Sequence, residues 1–70
     1  MDEHPIKAYR RKHKLTLTQF AERVGTSIST ISRIENGKLK PTLDMLHSLV
    51  DATDGKVKMA AIIASTPRAA

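Results

Sequence analysis

The sequence predicts a small all-α fold, a compact bundle of four to five short helices, and three observations carry that prediction. Apolar residues recur at three- or four-residue spacing from Ile6 to Val50, as they do along one face of a helix. Capping or breaking residues bound each stretch: Pro5, Thr16, Ser27 and Thr42 at the starts, Gly25, Asn36-Gly37 and Gly55 at the ends. The chain has 70 residues and no Cys, so one small core must hold without disulfide, iron–sulfur or thiolate-zinc support.

Pro5 suits the first position of a helix, and Ile6 and Tyr9 give it a narrow apolar edge above Lys7, Arg10, Arg11, Lys12 and Lys14. This first helix is expected over about residues 5–13. Thr16-x-x-Gln19 has the form of a capping box immediately before Phe20, Ala21 and Val24, and Gly25 stops a second helix of about residues 17–24. Ser27 caps a third, about residues 28–35, whose apolar positions are Ile28, Ile31 and Ile34. Thr42 caps a fourth, with Asp44 complementing its N-terminus and Leu43, Leu46, Leu49 and Val50 as its apolar stripe, ending before Gly55.

Residues 57–64 read either as a short Ala-rich helix or as an edge strand pairing with a second chain, the helix being preferred. The domain is expected to span residues 1–64, with residues 65–70 as a disordered tail.

The formal net charge is +5, which favours an anionic partner. Its distribution is polarised: residues 1–14 carry +3, residues 15–35 zero, residues 36–42 +2, residues 43–54 −3 and residues 55–70 +3. Phe20 and Tyr9 are the only aromatic residues, too few for a base-stacking platform for single strands, whereas a helix reading duplex DNA needs none. No apolar run approaches the ~20 residues of a membrane span. The N-terminus resembles neither a signal nor a transit peptide. A cytoplasmic location is therefore expected. His4, His13 and His47 have no metal-ligand spacing and are read as solvated, and neither a phosphate loop nor a Ser/His/acid set is present. No enzyme activity, cofactor or metal is expected.

Two short helices joined through Val24-Gly25-Thr26-Ser27 make a helix-turn-helix. The longer string, Leu15-Thr16, Phe20-Ala21, Gly25-Thr26-Ser27, Ile31-Ser32-Arg33-Ile34-Glu35-Asn36-Gly37-Lys38 and Pro41, closely resembles the phage repressor and Cro-type (XRE) helix-turn-helix family of transcriptional regulators. The resemblance covers about residues 6–57. It implies a lambda repressor-like DNA-binding domain whose third helix lies in the major groove, as a homodimer on a two-fold symmetric site.

Within that frame, helix geometry selects the reading residues. At about 100° per residue, Ser29 and Arg33 lie about 160° and 200° from Ile31 and so point away from the core. Arg33 is the leading base reader, since its planar fork donates two bonds to guanine. Ser29 and Ser32 specify weakly. Ile28 flanks the exposed face, where it either packs or touches a thymine methyl.

Thr16, Thr18, Thr26 and Ser27 lie near the helix N-termini, where free amides suit phosphate. Their ordinary reading as caps holds at the same time. The resemblance adds Asn36, Lys38 and Lys40 as backbone contacts, and it implies an ion pair between Arg10 and Glu35. One departure stands out: many members carry Gln at the start of the second helix, where this chain has Leu17, with Gln19 displaced by two positions.

The rival reading is a protein-interaction or antitoxin-like module. In it the fourth and fifth helices, with Asp44, Asp51, Asp54 and the aliphatic stretch from Met59 to Ala64, bind a partner and DNA contact is secondary.

Overall fold

Five helices and no strand make up the regular structure of residues 3–65, the part of the chain that the computed structural model describes. They are α1 (Pro5–Lys12), α2 (Leu17–Val24), α3 (Ile28–Glu35), α4 (Leu43–Ala52) and α5 (Met59–Ala64). Residues 57–64 thus supply a helix, not a strand. Of the expected tail, all but Ser65 lies outside the described residues.

One core joins all five helices. α2 packs on α3 and α4, while α1 packs on α3 and α5, and α4 also meets α5. Ile6, Phe20, Ile31, Ile34, Leu49 and Ile62 are its fully buried apolar members, one or more from each helix. None of these 6- to 10-residue helices is long enough to be stable alone in water. The shared core is what holds them.

The helix ends carry the chain's sharp corners. α2 and α3 stop at Gly25 and Gly37, with φ of 90° and 70°, a left-handed backbone that favours glycine. Beyond them the amides of Thr26 and Lys38 donate back to the carbonyls of Ala21 (2.9 Å) and Arg33 (2.8 Å). The same closure ends α1 and α4, but there the left-handed residues are Lys14 (φ 56°) and Asp54 (φ 54°). α1 stops at Lys12, within a residue of the expected end, and α4 stops at Ala52, before Gly55 as expected, with its turn formed at Asp54.

Thr53 is the one fully buried polar residue among those described. Its hydroxyl donates to the Val50 carbonyl at 3.0 Å and accepts from the Val57 amide at 3.2 Å, tying the end of α4 to the link into α5. Thr53→Val keeps the shape but removes both bonds and strands a buried amide. It is expected to lower stability by about 1–3 kcal/mol, read as a lower urea midpoint at unchanged slope.

Two sequence expectations are corrected by the packing. Leu43 does not belong to the buried stripe of α4: it is 63% exposed. A three-residue step falls about 60° short of a full turn, so Leu43 lies about 120° around the helix from Leu49, the fully buried residue of that face. His4 is not a solvated side chain. It is half-buried and caps α1, with Nδ1 accepting a hydrogen bond from the Ile6 amide at 3.1 Å. His13 and His47 are exposed, and the His13 ring lies against Tyr9 with centroids 4.2 Å apart.

Candidate nucleic-acid interface

The start of α2 is built by a reciprocal pair of bonds. Thr16 Oγ1 accepts from the Gln19 amide at 3.0 Å, and Gln19 Oε1 accepts from the Thr16 amide at 2.9 Å, which satisfies two donors that a helix start otherwise leaves open. Because the carbonyl oxygen of Gln19 is held by the cap, its side-chain NH2 is the end left to donate outward. Leu17 is half-buried and packs against the core. It therefore offers nothing polar to a ligand. Thr18 is exposed beside it, as are Thr16 and Gln19.

Across the Gly25 turn, Ser27 caps α3. Its Oγ accepts from the Thr30 amide at 3.2 Å and lies 2.9 Å from Thr30 Oγ1. Thr26 is half-buried in the joint, and Ser27 is exposed. Ile31 and Ile34 pin α3 into the core at 0% and 1% exposure. That orientation leaves Ser29 and Arg33 exposed on the opposite side and Ser32 half-buried at its margin. Ile28 is 45% exposed. It lies about 120° around the helix from Ile34, by the same three-residue drift that exposes Leu43.

Past α3, Asn36 is exposed and its Nδ2 donates weakly to Ser32 Oγ at 3.4 Å. Lys38 and Lys40 are exposed on the loop that follows. The outer side of α3 thus presents hydroxyls, one guanidinium and one apolar side chain, with two exposed ammonium groups beyond its C-terminus.

Arg10 braces this surface from behind. Its Nε and Nη2 donate to the two oxygens of Glu35 at 2.8 and 3.0 Å, and Nη1 donates to the Leu15 carbonyl at 3.2 Å. One side chain on α1 therefore holds both the last residue of α3 and the turn that leads into α2. The hydrogen bonds it donates to Glu35 raise the Arg10 pKa above its ordinary value, outweighing the opposing effect of burial. The Glu35 side chain is only 4% exposed. Among the described residues no group of acidic, His or Cys side chains is placed to hold a metal ion, and no helix is long and apolar enough to cross a membrane.

Together, the capped pair α2–α3, the Gly25 joint and the outward polar face of α3 define a helix-turn-helix domain. A family model described as helix-turn-helix matches residues 6–57. The chain belongs to that family, the XRE-type DNA-binding regulators. A formate–tetrahydrofolate ligase of Allorhizobium ampelinum is 37% identical over 62 residues, which make up 89% of this chain and 11% of the ligase. The chain thus spans about a ninth of the length of that relative. No solved structure gives a significant match.

Proposed function

We propose that this chain is a sequence-specific double-stranded DNA-binding regulator, a repressor or autoregulator that works by occupying its site with α3 in the major groove. The observation that carries this reading is the placement of Arg33 and Ser29 on the exposed side of a helix anchored through Ile31 and Ile34. A capped, core-anchored helix presents base-reading groups without ordering them at the moment of binding.

In this reading Arg33 donates to a guanine edge, Ser29 and Ser32 contribute weaker polar contacts and Ile28 meets a thymine methyl. Thr16, Thr18, Gln19, Thr26, Ser27, Asn36, Lys38 and Lys40 position the duplex through phosphates. Gln19 serves through its outward NH2, in place of the glutamine that Leu17 displaces. A homodimer on a two-fold symmetric site is supported by α5, which carries no charge and exposes Ala60, Ala61 and Ile63 beside the half-buried Met59. The activity in the name of the Allorhizobium protein belongs to that protein, and nothing in the geometry above calls for catalysis.

Selection from a random duplex library, followed by binding at several salt concentrations, tests the proposal. The expected result is a two-fold symmetric consensus whose affinity falls steeply with salt, with a log–log slope of about −0.9 per phosphate contacted. Failure to retain any duplex, with or without self-association, puts the protein-interaction reading through α4 and α5 in its place.

A further inference from the structure

His4 lies at the junction of three elements. Its ring sits at the start of α1, lining a surface cleft with Glu3, Glu35, Asn36 and the Ala64–Ser65 end of α5. Its Nδ1 is an acceptor, holding the Ile6 amide at 3.1 Å, so the imidazole must be unprotonated at that nitrogen. A helix start is the positive end of the helix dipole, where an added cation is unfavourable. Neutral His4 therefore caps α1, and protonated His4 does not.

Among the described residues, the charged groups that line this cleft with it are Glu3 and Glu35. Glu35 reaches it from α3, but both oxygens of that carboxylate already accept from Arg10. Glu3, from the preceding segment, is paired with Arg11. Ala64 and Ser65 carry no charge. A protonated His4 thus either stays half-buried at an unfavourable helix end or turns toward Glu35 and competes with Arg10 for it. The first outcome costs α1 its cap, and the second weakens the hold of Arg10 on Glu35.

We propose that His4 is a built-in acid-sensitive latch, whose protonation uncaps α1 and weakens the Arg10–Glu35 brace behind the helix-turn-helix. Burial lowers the His4 pKa below its ordinary value, with the Glu35 charge opposing that shift only in part. The sign follows by linkage. Below about pH 6.5, the ordinary value for histidine, the unfolded chain takes up a proton that the folded chain refuses, and stability declines until the lowered folded-state value is passed. The direction is also distinctive for a protein that binds an anion. Added positive charge ordinarily favours duplex binding, whereas protonating His4 opposes it.

The consequence for DNA rests on the function proposed above; the consequence for stability does not. The test follows urea midpoints from pH 8 down to pH 5 for the full chain and for His4→Asn, which supplies a good helix cap that does not titrate. The NMR titration of the His4 ring is measured alongside. The expected result is a midpoint that falls on acidification in the wild type, a much flatter profile in H4N, and a ring that titrates below the usual histidine range. Equal pH profiles for the two chains, or a His4 ring that titrates at or above that range, overturn the latch. Affinity for the selected duplex is then compared at pH 8 and pH 5.5, where H4N is expected to hold the duplex better than wild type only at the lower pH. Loss of duplex binding by both chains at every pH counts against the DNA reading, and the urea and NMR measurements still decide on His4.

Discussion

Arg10→Ala is expected to destabilise the fold by about 3–5 kcal/mol, because it strands a carboxylate that is almost fully enclosed. Glu35 has 4% of its side-chain surface exposed, so its carboxylate depends on the guanidinium in place of full hydration. A chain of 70 residues holds roughly 4–10 kcal/mol of stability in total, at about 0.05–0.15 kcal/mol per residue. Loss of the brace therefore leaves a domain at the edge of unfolding at ambient temperature. The Leu15 carbonyl also loses its donor, which frees the turn ahead of α2. Urea denaturation followed by circular dichroism checks the prediction, and a midpoint equal to that of wild type contradicts it. Replacing both partners together, Arg10→Met with Glu35→Leu, is expected to recover most of the loss, since no unpaired charge then remains inside.

Arg33→Ala is expected to weaken the preferred duplex by about 1–3 kcal/mol and to relax preference at one base position in each half-site, while binding to unrelated duplex stays nearly unchanged. Arg33 is exposed and makes no ion pair among the described residues, so its removal is expected to leave the fold intact and the loss reads as lost recognition. Lys38→Ala provides the contrast. Its ammonium stands on the loop after α3, and in the proposed docking it meets phosphates and not base edges, so its loss is expected to weaken all duplexes alike and to reduce the magnitude of the salt slope by about one. Quantitative binding to the selected duplex, its single-base variants and a random duplex separates the two. Uniform weakening by both substitutions makes Arg33 a phosphate ligand.

Much of the bundle was legible because its punctuation is local. Thr16, Ser27 and Thr42 cap the helices expected of them through bonds made within three residues. Gly25 and Gly37 turn the chain where only a left-handed residue fits without strain. The turn at Lys14 was hidden because lysine does not favour that backbone, and the one at Asp54, a residue type that tolerates it, because Gly55 stands beside it as the stronger signal. Each turn is closed by the next amide, Leu15 donating to the Arg10 carbonyl at 2.8 Å and Gly55 to the Val50 carbonyl at 2.9 Å. His4 shows the same limit from another direction, since its sequence context marks it as an ordinary exposed histidine and only its place against α3 and α5 makes it a half-buried cap.

The candidate interface divides along the same line. Angular position on α3 was enough to place Ser29 and Arg33 outside and Ile31 and Ile34 inside, because helical period is a property of the chain alone. Ile28 and Leu43 share that period with their buried neighbours, and repetition every three residues drifts steadily around a helix. Which member of such a series is covered depends on where the neighbouring helix ends. Length, charge distribution and capping pattern by themselves determined a small helical domain with a helix-turn-helix and an anionic partner. Only the tertiary structure decided which apolar residues remain exposed and that Arg10 ties three elements together, because both depend on the contacts that packing creates between helices.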